Sequence, residues 1–154
     1  MTGIDFRVIL PDPAASDALG RALANLVRPG DVIALSGPLG AGKTSIARGL
    51  LAALGLAGEA PSPSFAIVQP YDPPEVRLPV LHVDLYRIDD PADVQELGLD
   101  DARTYAVLVV EWPERLGDAA WADALWLTLS VAEPGGRSLT ARVPAAWRDR
   151  WPPT

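Results

Sequence analysis

Apolar and polar side chains alternate over residues 5–10, the period-two pattern of a half-buried strand. Residues 14–27 carry apolar positions at three- and four-residue spacing and predict a helix that stops before Pro29-Gly30. A short apolar strand follows at 31–36, then a glycine loop at 37–42 and a helix over 44–54 with Gly55 as its stop. Two extended segments, 65–71 and 80–86, flank a turn-rich stretch at 72–79. Residues 90–97 read as a short helix capped by Asp89, and residues 106–112 as a buried strand. Residues 124–131 and 138–143 predict a closing hairpin through 133–136. Trp126 alternates with apolar neighbours and is expected in the core. The end, 147–154, reads as a mobile tail, with Trp147 and Trp151 loosely packed at the sheet edge rather than forming a docking surface. The succession of strand, loop, helix and then mostly strands predicts one α/β domain. Its sheet is mixed and partly parallel, with helices on the faces and an antiparallel end.

Composition narrows the chemistry. At 154 residues, 49% hydrophobic and 21% charged, the chain is long enough to bury a core without disulfides or metal staples. It has no cysteine, which excludes thiol chemistry, and a single histidine, which excludes a histidine-rich zinc site within one chain. The net charge of −7 argues against gripping nucleic acid, which takes cations to replace phosphate counterions. Any RNA involved would be held by a partner. No basic-then-apolar leader is visible, and the longest apolar run, 106–110, is too short to span a bilayer, so a cytoplasmic location is expected.

The loop from Gly37 to Thr44 matches G-x-x-x-x-G-K-[ST], with an apolar strand before it and a helix after it. Glycines let the backbone curl until successive N–H groups face one anion, and the helix N-terminus adds partial positive charge. Gly37, Leu39, Gly40, Ala41, Gly42, Lys43, Thr44 and Ser45 are therefore the candidate nucleotide-binding positions. Lys43 is expected to reach the β- and γ-phosphates, and the Thr44 hydroxyl to ligate Mg²⁺. Lys43 is also the only lysine in the chain; every other strong base is arginine. A compact point charge is kept for the one place where it must sit inside a phosphate loop. Pro38 removes one amide donor, which the later amides of the loop make tolerable. A guanine-reading N-K-x-D motif needs a second lysine, so ATP is favoured over GTP.

Two apolar strands end in acids, at Asp84 and Glu111. A P-loop NTPase needs such an acid near its metal. Glu111 is assigned to Mg²⁺ and Asp84 to positioning or activating water, with the reverse assignment left open. His82, Asp84 and Tyr86 are expected on one face of their strand. His82 either orients Asp84 or packs in a satisfied hydrogen bond. Arg87 pairs with a phosphate or with a nearby acid.

These segments together resemble the bacterial TsaE (YjeE-type) family of tRNA threonylcarbamoyladenosine biosynthesis. The resemblance rests on residues 37–44, Ser62-Pro63-Ser64-Phe65, His82-Val83-Asp84-Leu85-Tyr86-Arg87, Glu96-Leu97-Gly98 and Glu111-Trp112-Pro113-Glu114, in the family's order over about residues 30–116. It implies a P-loop NTPase fold, with Thr44 and Glu111 serving Mg²⁺ and Asp84 needed for hydrolysis. Ser62 and Ser64 would lie in a switch segment near the γ-phosphate, and Trp112 near the nucleotide. The activity implied is an ATPase that supports TsaB and TsaD in modifying adenosine 37 of tRNA. Two departures stand out: Pro38 replaces an acid, and Ser64 replaces a threonine. The competing readings are a small-molecule P-loop kinase and an ATP-sensing module, and no acceptor pocket or lid arginines for a kinase are visible.

Overall fold

The structure, a computed structural model, describes residues 4–38, 41–58, 60, 67–119, 121–131 and 136–153. Strands β1 (Ile4–Leu10), β2 (Val32–Ser36), β3 (Val68–Tyr71), β4 (Val80–Asp84), β5 (Val107–Glu111), β6 (Leu125–Val131) and β7 (Arg137–Val143) form one sheet in the order β1-β7-β6-β2-β5-β4-β3. Neighbours among β6, β2, β5 and β4 run parallel, while β7, β1 and β3 pair antiparallel at the two ends. The expected antiparallel end is therefore joined by a second one at β3.

Burial explains the pattern. Every residue of β2, β4 and β5 is buried, because both faces of the parallel centre are covered. β6 and β7 alternate instead, because only one of their faces is packed. Helices α1 (Pro13–Ala24) and α2 (Lys43–Ala53) cover one face, burying Leu23, Ile46, Leu50 and Leu51 against Ile33, Val109, Leu127 and Leu139. The short helices α3 (Ala92–Gln95) and α4 (Leu99–Ala102), with a 3-10 segment at Pro113–Ala119, cover the other. There Val94, Leu99 and Leu116 meet Val32, Val83 and Val110. Trp126 is only half-buried, against this second cluster.

Several boundaries differ from the pattern-based expectation. α1 stops at Ala24, capped at its start by Asp12, whose Oδ1 accepts from Ala15 N at 2.9 Å, with Pro13 in the first turn. Gly55, at φ 117°, does end the helix before it, and the amide of Leu56 closes back to the carbonyl of Leu51. The single helix expected at 90–97 is two short pieces, separated at Gly98 with φ 67°. The first piece has Pro91, not Asp89, at its N-cap and no side-chain cap there; Asp90, just before it, accepts from Ala92 N. β4 ends at Asp84, which leaves Tyr86 in the following turn and off the strand face.

The tail is corrected too. Trp147 is fully buried and Trp151 nearly so, both in the α1–α2 core, where loose packing was expected. Arg150 clasps this segment to the body: it lies 3.9 Å over the Trp147 ring, pairs with both oxygens of Asp31 at 2.6 and 3.1 Å, and donates to the carbonyl of Leu26. Arg77 performs a similar service at the helix ends, donating to the terminal carbonyls of α1 at Ala24 and of α2 at Ala53. No helix among the described residues is long and apolar enough to cross a membrane.

Candidate nucleotide site

Three elements meet at one edge of the sheet: the loop after β2, and the C-terminal ends of β4 and β5. The loop depends on glycine at two points. Gly37 has φ 143°, and a Cβ there would lie 2.6 Å from the carbonyl oxygen of Leu129. Gly42, at φ 104°, forms the N-cap of α2, a left-handed conformation that side chains resist. Pro38 loses a donor but keeps its acceptor, closing a turn from Ala41 N at 3.2 Å. Leu39 and Gly40 lie outside the described residues, as do Ser62 and Ser64 of the expected switch segment.

Lys43 begins α2 and folds back over its own loop. Its Nζ donates to the carbonyl of Gly37 at 2.5 Å and sits 3.7 Å above the ring centre of Trp112. Burial pushes the Lys43 ammonium below its ordinary pKa, against the opposing pull of Glu111, Glu114 and Asp84. The Thr44 hydroxyl donates to the Glu111 carboxylate, 3.1 and 3.3 Å from its two oxygens. Register explains the pairing of acids: Asp84 and Glu111 are directly opposite on adjacent parallel strands, and Leu35 of β2 is opposite Glu111 on its other side. Both acids are buried, on the face that α2 covers.

His82 packs in a buried hydrogen bond, the second of the two expectations, and does not orient Asp84. It is fully buried, and its Nε2 lies 2.6 Å from Glu111 Oε2 rather than against Asp84. A carboxylate can only accept, so the geometry assigns the proton to Nε2. The other ring nitrogen has no partner among the described residues. Asp84 is engaged elsewhere: its Oδ1 accepts from the amide of Tyr86 at 2.9 Å, and its own amide donates to Ile67 O at 2.7 Å. Trp112 follows Glu111 with φ 60°, an uncommon conformation for a bulky residue. That turn brings its ring over Lys43, with Tyr86 at 4.9 Å. Arg87 is exposed on the turn beyond. Ser45 lies in the first turn of α2, half-buried.

Two participants were not singled out from the sequence. The Ser36 hydroxyl donates to Glu114, and Glu114 is one of the three carboxylates acting on Lys43. The signal for Glu114 was its place in Glu111-Trp112-Pro113-Glu114; Ser36 carried none beyond preceding the loop.

The model of the family described as "Threonylcarbamoyl adenosine biosynthesis protein TsaE" matches residues 10–139. The chain belongs to the TsaE family. It is 42% identical over 115 residues to the Streptomyces coelicolor protein named tRNA threonylcarbamoyladenosine biosynthesis protein TsaE, covering 74% of this chain and 78% of that one. A Synechocystis protein of the same name is 42% identical over 112 residues, covering 70% and 69%. The crystal structure of Bacillus subtilis YdiB superposes with a TM-score of 0.81 at 26% identity, covering 97% of this chain and 92% of that one. The match extends the resemblance seen at about residues 30–116 to nearly all of α1 through β7. Within this TsaE-family fold, the clasp formed by Trp147, Arg150 and Trp151 lies beyond the matched segment.

Proposed function

We propose that the chain is a Mg²⁺-dependent subunit that binds and hydrolyses ATP and supports N6-threonylcarbamoyladenosine formation in tRNA with TsaB and TsaD partners. One observation carries the reading: Lys43, Thr44, Asp84 and Glu111, from three separate elements, converge at the mouth of a G-x-x-x-x-G-K-T loop. The tRNA role follows from membership of the family, whose relatives carry that biosynthetic name.

The residues fit Mg²⁺. Among the described residues no group of three or more His, Cys, Asp or Glu could cage a metal unaided. Mg²⁺ seldom uses such a cage; it takes one or two protein oxygens and completes its shell with phosphate and water. Thr44 Oγ1 and the Glu111 carboxylate, already in mutual contact, are hard oxygen donors of that kind. When bound, the ion would neutralise charge developing on the phosphate oxygens. His82 holds Glu111 in place from behind through its Nε2 proton. Asp84 is the remaining buried acid at the site and the group assigned to orient the attacking water. Lys43 must leave Gly37 O and the Trp112 ring to meet the phosphates; its three neighbouring carboxylates oppose the lowering of its pKa by burial. The acidic surface fits a protein whose partners hold the RNA.

The test is Mg-ATP hydrolysis by the purified chain, alone and with TsaB and TsaD added. Hydrolysis should be slow alone and rise with the pair, and Lys43→Ala should abolish it. Glu111→Gln and Asp84→Asn should each lower turnover about a hundredfold, the usual worth of a group stabilising the transition state. Unchanged turnover in both acid variants would refute the assignment. Indifference to TsaB and TsaD would refute the partnership.

A further inference from the structure

The sheet has two edges, and they are built differently. β3 is four residues long and carries Pro70, which removes a main-chain donor and blunts that edge. β1 runs seven residues, Ile4–Leu10, without proline or lysine, and among the described residues no strand pairs with its outer side. A row of main-chain N–H and C=O groups of that length is a template for one more strand. The side chains along it are open as well: Asp5, Phe6, Arg7 and Ile9 are all exposed, Phe6 at 41%.

The order of charges along β1 selects the strand that fits. Alternation places Asp5 and Arg7 on one face and Phe6 and Val8 on the other, where Val8 packs against the α1–α2 core. When two copies of one strand meet antiparallel about a two-fold axis, one residue faces itself and its two neighbours face each other. Centred on Asp5 or on Arg7, such a pair sets like charges directly opposite, which is destabilising. Centred on Phe6, it sets Asp5 opposite Arg7 twice over, with the two Phe6 rings adjacent on the other face. Both charged groups have capacity to spare. Asp5 pairs loosely with Arg142, at 3.5 Å with both side chains largely exposed. Arg7 uses its Nε on Ser138 at 3.1 Å, one of the five N–H donors of its guanidinium.

We infer that β1 is a self-pairing edge: two copies of the chain join through antiparallel β1 strands centred on Phe6, and their sheets become continuous. The interface is small and each copy carries a net charge of −7, so the dimer is weak and forms in proportion to concentration. β7 and β6 stand between β1 and β2, so the contact lies away from the loop after β2 and is independent of nucleotide.

The test is sedimentation of the full chain from low micromolar to several hundred micromolar at physiological salt. The wild type should pass from monomer to dimer over that range. Asp5→Arg and Arg7→Asp should each weaken dimerisation about tenfold, since each turns two attractive pairs into two repulsive ones. The double variant Asp5→Arg/Arg7→Asp restores opposite charges and should recover the wild-type affinity, a result that a merely misfolded single variant would not allow. Cross-linking reads the register. The chain has no cysteine, so Phe6→Cys gives each copy one thiol, facing its mate within reach of a disulfide. Mild oxidation should join Phe6→Cys into dimers and leave Ile9→Cys unjoined, because its two thiols would lie about 20 Å apart along the strands. A wild type that stays monomeric throughout would overturn the inference. So would a dimer indifferent to both charge reversals, or one joined equally by the two cysteine variants.

Discussion

Replacing Gly20 or Gly49 by alanine sets two effects against each other. In an exposed helix the change stabilises by about 1 kcal/mol, because alanine loses less backbone entropy on folding. Here α1 and α2 cross backbone to backbone. A Cβ on Gly20 would stand 2.0 Å from the carbonyl oxygen of Ile46, and one on Gly49 would stand 2.3 Å from that of Asp17. Real Cβ contacts essentially never fall under 3.0 Å, and the obstructing atoms are backbone, so no rotamer change relieves them. The helices must part by roughly 1 Å, which forfeits a quarter to a half of the dispersion energy across the gap. Leu23, Ala24, Ile46, Ala47 and Leu50 are buried beside that crossing. Overpacking of this kind costs about 3 kcal/mol at the upper end of its usual range. Less the propensity gain, each variant should lose about 2 kcal/mol, seen as a fall of about 4–8 °C in melting temperature for a domain of this size. The two sites share one interface, so the double variant should lose less than the sum: once the helices separate for one methyl, the second is partly accommodated. Urea unfolding of the two single variants and the double variant measures all three values. A neutral or stabilised Gly20→Ala would refute the close crossing, and strict additivity would refute the shared displacement.

Two other perturbations test the remaining contacts. Arg150→Met should cost about 2 kcal/mol in urea unfolding, because it leaves the Asp31 carboxylate, whose side chain is 13% exposed, without its cation, though still accepting from the amide of Arg28. Truncation after Val143 should cost at least about 3 kcal/mol, since it empties the space of the fully buried Trp147; a loss under 1 kcal/mol would restore the loose tail. Lys43→Met should raise the melting temperature at pH 7, by about 2–4 °C if the gain is near 1 kcal/mol, while abolishing nucleotide binding. Burial lowers the Lys43 pKa, so between that lowered value and the ordinary lysine value the unfolded chain binds the proton and the folded chain does not. Wild-type stability therefore rises with pH through that window. The advantage of methionine should be fully present below the window and narrow as pH climbs through it. A lower melting temperature for Lys43→Met at pH 7 would show that the charge is a net asset to the fold.

Much was legible along the chain because it is local. The run Val32–Ser36 followed by Gly37 and Lys43-Thr44 specifies strand, loop and helix through nearest neighbours alone, and the structure places them so. The uninterrupted apolar stretch of β5 declared a strand buried on both faces, because a parallel centre leaves little room for polar residues; β4, interrupted by His82, proved equally buried. The acids at their ends, Asp84 and Glu111, were legible as the point where each strand's apolar run breaks, although both are buried.

What tertiary structure decided is the partnering between segments distant in sequence. The histidine two residues before Asp84 pairs with Glu111 across the sheet, since parallel register sets Asp84 opposite Glu111 and leaves His82 within diagonal reach. Gly20 and Gly49 look like flaws in two helices until the crossing shows that only hydrogen fits there. Trp147 and Arg150 read as the end of a tail, yet Asp31 and the carbonyl of Leu26 hold them against the core. Periodicity reports which face of an element is apolar. It carries no information about which other face will meet it, because burial is non-directional and only the closed topology selects the partner.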